Sequence, residues 1–138
     1  MLTLADFTGT RWIVSRAIDD RRGVVRGEFS GTANFVPQGE GLVYHEVGRL
    51  RMAQGPILAA ERRYLWLSLA DGIEVRFTDD RPFHRFRPEG RGPGTDHPCG
   101  ADLYRVTYDF GRWPEWEAEW VVTGPAKDYR MVTTYRLG

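Results

Sequence analysis

Hydrophobic and polar residues alternate with a period of two along most of the chain. The clearest segment is 26–36, in which Phe29, Ala33 and Phe35 share one face with Gly27 and Gly31, while polar side chains share the other. Such alternation is typical of an antiparallel strand with one buried face. Similar patterns predict strands near residues 9–19, 24–36, 41–52, 57–69, 73–78, 82–87, 101–110, 115–123 and 127–137.

Turn-forming residues separate these segments at roughly 8–12-residue intervals, which is typical of an all-β sandwich or barrel. No segment carries a helical stripe with caps at both ends, although residues 2–7 are compatible with one short turn that caps a barrel end. We therefore predict an all-β fold with at most that N-terminal helical turn. Its architecture is a single antiparallel up-and-down β-barrel of about 8–10 strands, forming one domain over residues 1–138.

One connection is longer than the others. Residues 87–100, RPEGRGPGTDHPCG, are rich in proline and glycine, and we expect them to lack regular structure. Long loops on a rigid barrel often carry functional residues. We therefore expect this segment to border the barrel mouth.

Composition narrows the classes of partner. Nineteen basic and nineteen acidic residues cancel, so no net charge attracts nucleic acid or an anionic membrane. The basic and aromatic residues of segment 81–91 are interleaved as in some single-strand nucleic-acid binders, but acidic neighbours offset them. A single cysteine suits a reducing compartment, and no long apolar segment is present. These features predict a cytoplasmic protein that binds neither nucleic acid nor membrane.

Polar residues on the inward faces of strands indicate where a ligand would bind, because a buried charge needs a partner. The alternation places Arg16, Glu46 and Arg62 inside the barrel among aromatic side chains. The predicted cavity lining also includes Trp12 and Trp116. The candidate ligand-binding residues are Arg16, Tyr44, Glu46, Arg62, Tyr64, Trp66, His84, His97, Asp102, Tyr104, Trp120 and Tyr129.

The segment HPCGAD, residues 97–102, holds the only cysteine and supports several interpretations. Cys99 could act as a nucleophile with His84 or His97 as base and Asp102 as the orienting group. The same side chains could bind a metal, but the paired spacing of zinc sites is missing, so we predict none. The segment could equally form a structural turn, because Pro98 and the following glycine favour one, or a lid at the mouth.

Two resemblances add to these expectations. Gly9, Trp12 and Arg136 resemble the pattern of the calycin superfamily, which includes lipocalins, fatty-acid-binding proteins and nitrobindin-like barrels, and in which a last-strand arginine meets a first-strand tryptophan. The resemblance implies a closed barrel with the Arg136 guanidinium over the Trp12 indole. Nitrobindin-like barrels bind haem through histidine, but the last two predicted strands contain none, so we predict no cofactor.

Most of the chain resembles DUF6314, an uncharacterised bacterial family. The matching motifs are FSGTANF (29–35), GLVYHE (41–46), RPFH (81–84), HPCGADLYRV (97–106) and KDYRM (127–131). This resemblance implies no known activity.

The leading hypothesis is a barrel that binds a small anionic or aromatic molecule in its interior. An enzyme that uses His84, His97, Cys99, Asp102 or Glu46 at the barrel mouth is the second hypothesis, and we favour binding over catalysis. A ligand-free scaffold that forms a homodimer through an exposed barrel face is the third. In the third case the interior would be filled by side chains, as small barrels allow.

Overall fold

The computed structural model describes residues 1–22 and 25–138. Gly23, which ends a predicted turn, and residue 24, where the second strand is predicted to begin, lie outside the described residues. The elements are helix α1 (Leu4–Phe7) and strands β1 (Arg11–Asp20), β2 (Val25–Gln38), β3 (Gly41–Met52), β4 (Ile57–Leu69), β5 (Gly72–Arg76), β6 (Pro82–Phe86), β7 (Arg91–Pro93), β8 (His97–Cys99), β9 (Asp102–Arg112), β10 (Glu115–Thr123) and β11 (Asp128–Leu137).

The strands form one antiparallel sheet that curls into a nearly closed barrel. Its order is β6-β5-β4-β3-β2-β1-β11-β10-β9-β7, and β8 also pairs with β9. The two edges meet where the amide of Thr95 donates to the carbonyl of Arg85 at 2.9 Å and the Thr95 hydroxyl accepts from the Arg85 amide at 2.9 Å. The predicted all-β antiparallel barrel is confirmed.

The expectation that residues 87–100 lack regular structure is wrong. This segment contains β7 and β8, which pair with β9 through Arg91–Asp109 and His97–Tyr104. Both strands are three residues long and lie at the sheet edge, where proline is tolerated because its missing N–H is not needed for a second partner. With them, the described residues contain eleven strands, where about eight to ten are predicted.

The paired glycines of β2 and β3 explain how the sheet bends. Gly31 lies opposite Gly48, and a Cβ atom at these positions would come within 2.1 Å of the Val47 carbonyl oxygen and 2.3 Å of the Ser30 carbonyl oxygen. Only glycine permits this close approach of two backbones. The inner glycines therefore provide the sharp curvature of the barrel wall.

One end of the barrel is closed by helix α1. Phe7 is fully buried, and its ring lies 5.3 Å from both Phe35 and Trp66 and 5.6 Å from Trp116. The amide of Thr3 donates to the Asp6 carboxylate at 2.7 Å and holds the single helical turn in place. The predicted N-terminal cap of the barrel is present.

The stacking of Arg136 on Trp12, which the calycin resemblance implies, does not occur. Arg136 pairs with Ile13 on the outer face and is exposed, whereas Trp12 points inward and is fully buried. Phe7 and Trp116 cover the Trp12 indole instead, at ring-centroid distances of 6.5 and 5.9 Å. The Trp113 ring is nearer still, at 5.5 Å, so aromatic rings surround the indole where the arginine was expected.

Within the described ranges, no helix combines the length and the apolar character needed to cross a membrane.

Candidate functional site

The barrel interior holds a cavity of about 300 Å³. Its deep wall contains the buried Trp66 and Trp116, whereas Tyr64, Phe83 and Tyr129 nearer the opening are only partly buried. The cavity therefore opens at the end opposite α1. Of the candidate ligand-binding residues, the structure places these on the cavity wall: Arg16, Tyr44, Glu46, Arg62, Tyr64, Trp66, His84, Tyr104, Trp120 and Tyr129.

A charged cluster occupies one side of this cavity. Arg16 donates to Glu46 in a two-pronged arrangement, with Nη1 2.9 Å from Oε2 and Nη2 2.7 Å from Oε1. The Tyr44 hydroxyl donates to Oε1 at 2.5 Å, and Arg62 Nε lies 3.2 Å from Oε2. Arg16 Nε donates to Thr133 Oγ1 at 2.8 Å. The lone pairs of Glu46 are therefore used within the protein.

Strand pairing explains why these residues meet. Glu46 lies directly opposite Arg62 on β4, and Arg16 lies opposite Thr133 on β11. All four are on inward faces, so the curvature of the sheet brings β1 and β3 within reach of each other although β2 separates them. The cluster therefore depends on both register and barrel closure.

The environment determines the protonation states of the cluster. Burial by itself raises the pKa of Glu46, but the hydrogen bonds and charge of Arg16, together with Arg62 and Tyr44, outweigh it and hold the pKa below its ordinary value. Burial opposes charge on Arg16 too, yet Glu46 holds its pKa above the usual range. Burial raises the pKa of Tyr44 and Tyr135, whose hydroxyl oxygens lie 3.0 Å apart. The cavity thus contains two guanidinium groups, one carboxylate and neutral phenols.

Aromatic rings form the opposite side of the cavity. Phe83 stacks on Trp120 with centroids 5.1 Å apart and an interplanar angle of 13°, and Tyr64 lies 5.5 Å from Phe83. Beside them, His84 Nε2 is hydrogen-bonded to the Tyr108 hydroxyl at 2.8 Å. Burial, and secondarily the charge of His97, lowers the pKa of His84 to about 3. His84 is therefore a neutral polar member of an aromatic wall.

The four predicted mouth residues lie in different surroundings, and only His84 among them lines the cavity. His84 is buried within the wall and not at the mouth. His97 is half-buried behind the lining, with its ring 5.1 Å from Phe83. Asp102 pairs with Lys127, the only lysine of the chain, at 3.1 Å and does not line the cavity. Cys99 is exposed.

These placements bear on the catalytic hypothesis. None of the hydrogen bonds formed among the described residues joins Cys99 to His84 or His97. In residues 1–22 and 25–138 no group of three or more His, Cys, Asp and Glu side chains could hold a metal ion. A nucleophilic role of Cys99 stays an alternative to the binding hypothesis.

Several lining residues were not among the candidates. They are Val75, Phe83, Tyr108, Ala118, Met131, Thr133 and Tyr135. All except Phe83 lie on the inward faces that the alternation of polar and apolar residues indicates. A bulge interrupts the β5–β6 pairing beside Val75, so Phe83 points inward although the alternation predicts that it points outward. Trp12, which was expected in the lining, is covered by Phe7.

The model of DUF6314, a family of unknown function, matches residues 7–137. The chain belongs to the DUF6314 family. No curated protein sequence is significantly similar to it.

Among solved structures, the fold is similar to that of an S-type phycobiliprotein lyase from Guillardia theta, with a TM-score of 0.65. The alignment covers 98% of this chain and 90% of that chain at 5% sequence identity. At this identity the likeness shows a shared barrel fold.

Proposed function

We propose that this DUF6314 protein binds a small aromatic carboxylate inside its barrel. The cavity volume of about 300 Å³ lies at the lower end of the roughly 300–1,000 Å³ range of small-molecule sites. Such sites are mostly apolar, with a few polar groups that fix the orientation of the ligand, and this cavity has the same composition. The aromatic wall supports a flat ring, and the charged cluster supports an anion.

An unbalanced guanidinium is the observation that carries the proposal. Glu46 neutralises Arg16 through two hydrogen bonds, which leaves Arg62 as excess positive charge. Arg62 Nε lies 3.2 Å from Glu46 Oε2, its terminal nitrogens donate no hydrogen bond among the described residues, and its side chain is 40% exposed. Its terminal nitrogens are thus available to a carboxylate, which an arginine binds through paired, charge-assisted hydrogen bonds.

The ring of the ligand is expected beside Phe83 and Trp120. These two rings already stack, and a third ring placed against them would gain offset or edge contacts. Tyr64 and Tyr129 flank the opening and are partly buried, so they can contact the ring without being displaced from a packed core.

Isothermal titration calorimetry with 3-phenylpropanoate and its uncharged amide tests the proposal. We expect the acid to bind at least about tenfold more tightly than the amide, because charge-assisted hydrogen bonds contribute about 1.5–3 kcal/mol. R62Q should reduce binding of the acid by a similar factor. R63Q is the matched control, because Arg63 is the next residue on β4 but faces outward and pairs with Glu61 at 3.8 Å.

Equal binding by R62Q and R63Q, or no binding of any small aromatic acid, would refute the proposal. A linear tetrapyrrole such as biliverdin belongs in the same panel, because the structural neighbour is a phycobiliprotein lyase. A cavity of about 300 Å³ is small for that pigment, so we expect it to bind more weakly than the acid. Tight binding of the tetrapyrrole alone would replace the proposed ligand class.

A further inference from the structure

A second, smaller cavity of about 110 Å³ lies on the other side of the charged cluster. Arg16, Glu46 and Arg62 line both cavities, so the cluster is the partition between them. We call the larger space, with Phe83 and Trp120, the ring compartment. The smaller one, with Ile18, Phe29, Leu50 and Ala60, is the chain compartment.

The chain compartment is apolar apart from the shared partition. Phe29 covers the face of the Arg16 guanidinium, with its ring centroid 5.0 Å from Cζ, while Ile18, Leu50 and Ala60 are only partly buried. Glu61 borders the space but points outward, where its carboxylate contacts His45 at 2.9 Å. The compartment therefore offers hydrocarbon contacts and no further charge.

Arg62 lies at the junction of the two compartments. A carboxylate held by its terminal nitrogens has the ring compartment on one side and the chain compartment on the other. A ligand can enter both only if the carbon next to its carboxylate carries two substituents. We propose that the substrate class of this site is an α-branched carboxylic acid with one aryl arm and one short arm that ends in an alkyl chain, of which N-acylated aromatic amino acids are an example.

This inference rests on the proposed function and specifies its ligand. The volume of about 110 Å³ matches roughly four water molecules at about 30 Å³ each, and hence a chain of roughly three or four carbon atoms. Because the compartments differ in size and polarity, exchanging the two arms of the ligand places each in the wrong surroundings. The site should therefore distinguish the enantiomers of such an acid.

Calorimetric titration with N-acetyl-, N-butyryl-, N-hexanoyl- and N-decanoyl-phenylalanine, each as both enantiomers, tests the inference. For one enantiomer we expect affinity to rise by about fourfold per added methylene until the compartment is full, and then to level off. The other enantiomer should bind at least about tenfold more weakly, because two or more methylenes stay outside the apolar space.

A60L is the diagnostic variant because the added side chain occupies the chain compartment. It should abolish the dependence on chain length while leaving the affinity for unbranched 3-phenylpropanoate unchanged, whereas A59L, on the outward face of the same strand, should behave as the parent protein. If A60L does not fold, A60V, with less added volume, takes its place.

The outcomes separate this inference from the proposed function. If 3-phenylpropanoate binds but acyl chain length and chirality have no effect in the parent protein, the chain compartment is not part of the site and the proposed function stands. Chain dependence that persists in A60L also overturns the inference. If no aromatic acid binds, the proposed function fails and the inference fails with it.

Discussion

Glu46 is the most buried charged side chain among the described residues, so replacing it by glutamine should be far more damaging than replacing its surface-facing partner Arg62. E46Q keeps the shape of the side chain and an acceptor for Tyr44. It removes the negative charge that Arg16, 6% exposed, uses through two hydrogen bonds of 2.9 and 2.7 Å. The variant therefore leaves a buried guanidinium without a counterion.

The magnitude follows from burial. Breaking a buried ion pair by removing one partner costs about 3–5 kcal/mol, because the remaining charge stays desolvated. R62Q breaks the other contact of Glu46, but Arg62 is 40% exposed, so we expect at most about 1 kcal/mol. For a domain of this size the E46Q cost corresponds to a fall in melting temperature of about 10–20 °C.

Urea unfolding followed by tryptophan fluorescence measures both variants. The double variant R16M/E46L is the control: hydrocarbon replaces both charges, so it should be more stable than E46Q.

The dependence of stability on pH gives a second measure of the contribution of Glu46. Because the pKa of Glu46 is held below its unfolded value of 4.5, its stabilisation is present above about pH 4.5 and is lost as the pH falls through the folded pKa. E46Q should lack that loss. Equal stabilities of E46Q and R62Q would refute the reasoning.

Two further predictions concern the aromatic wall and the closed end. The pKa of His84 is about 3 in the fold against 6.5 unfolded, so the free energy of unfolding should fall by ~1.4 kcal/mol per pH unit as the pH drops below 6.5. H84Q should remove this slope in urea titrations above pH 4.5. An unchanged slope would mean that another titratable group causes the pH dependence of the free energy of unfolding. F7A should cost about 3–5 kcal/mol in the same assay, because Phe7 is fully buried. L2A, at a half-buried site, is the control, and a cost for F7A no greater than for L2A would contradict the role of Phe7 as the plug.

Alternation identified the inward face of the strands correctly, and with it much of the cavity wall. Arg16, Glu46 and Arg62 lie inside because each shares a face with apolar residues two positions away, a relation that local sequence contains. Phe83 is missing from the predicted lining because the bulge beside Val75 shifts the alternation of inward and outward side chains along β6. His97 and Asp102 are predicted lining residues that do not line the cavity, because tertiary contacts direct His97 against the back of Phe83 and pair Asp102 with Lys127.

In residues 87–100, local sequence does not predict the secondary structure correctly. Its proline and glycine content indicates a loop, and local propensity alone favours that interpretation. Tertiary pairing with β9 nevertheless makes two short strands there, because an edge position needs only some of the backbone hydrogen bonds of a central strand.

By itself, the sequence determined the all-β class, the inward faces and the chemical types of the interior side chains, since all three follow from the period of two and from local turn chemistry. Only the tertiary structure decided that Arg16 and Arg62 share one carboxylate, that the Tyr44 and Tyr135 hydroxyls meet, and that an opening remains between the cluster and the aromatic wall. The physical reason is that these contacts join strands distant in the chain. Their distances depend on register, curvature and closure of the whole barrel, which no local pattern contains.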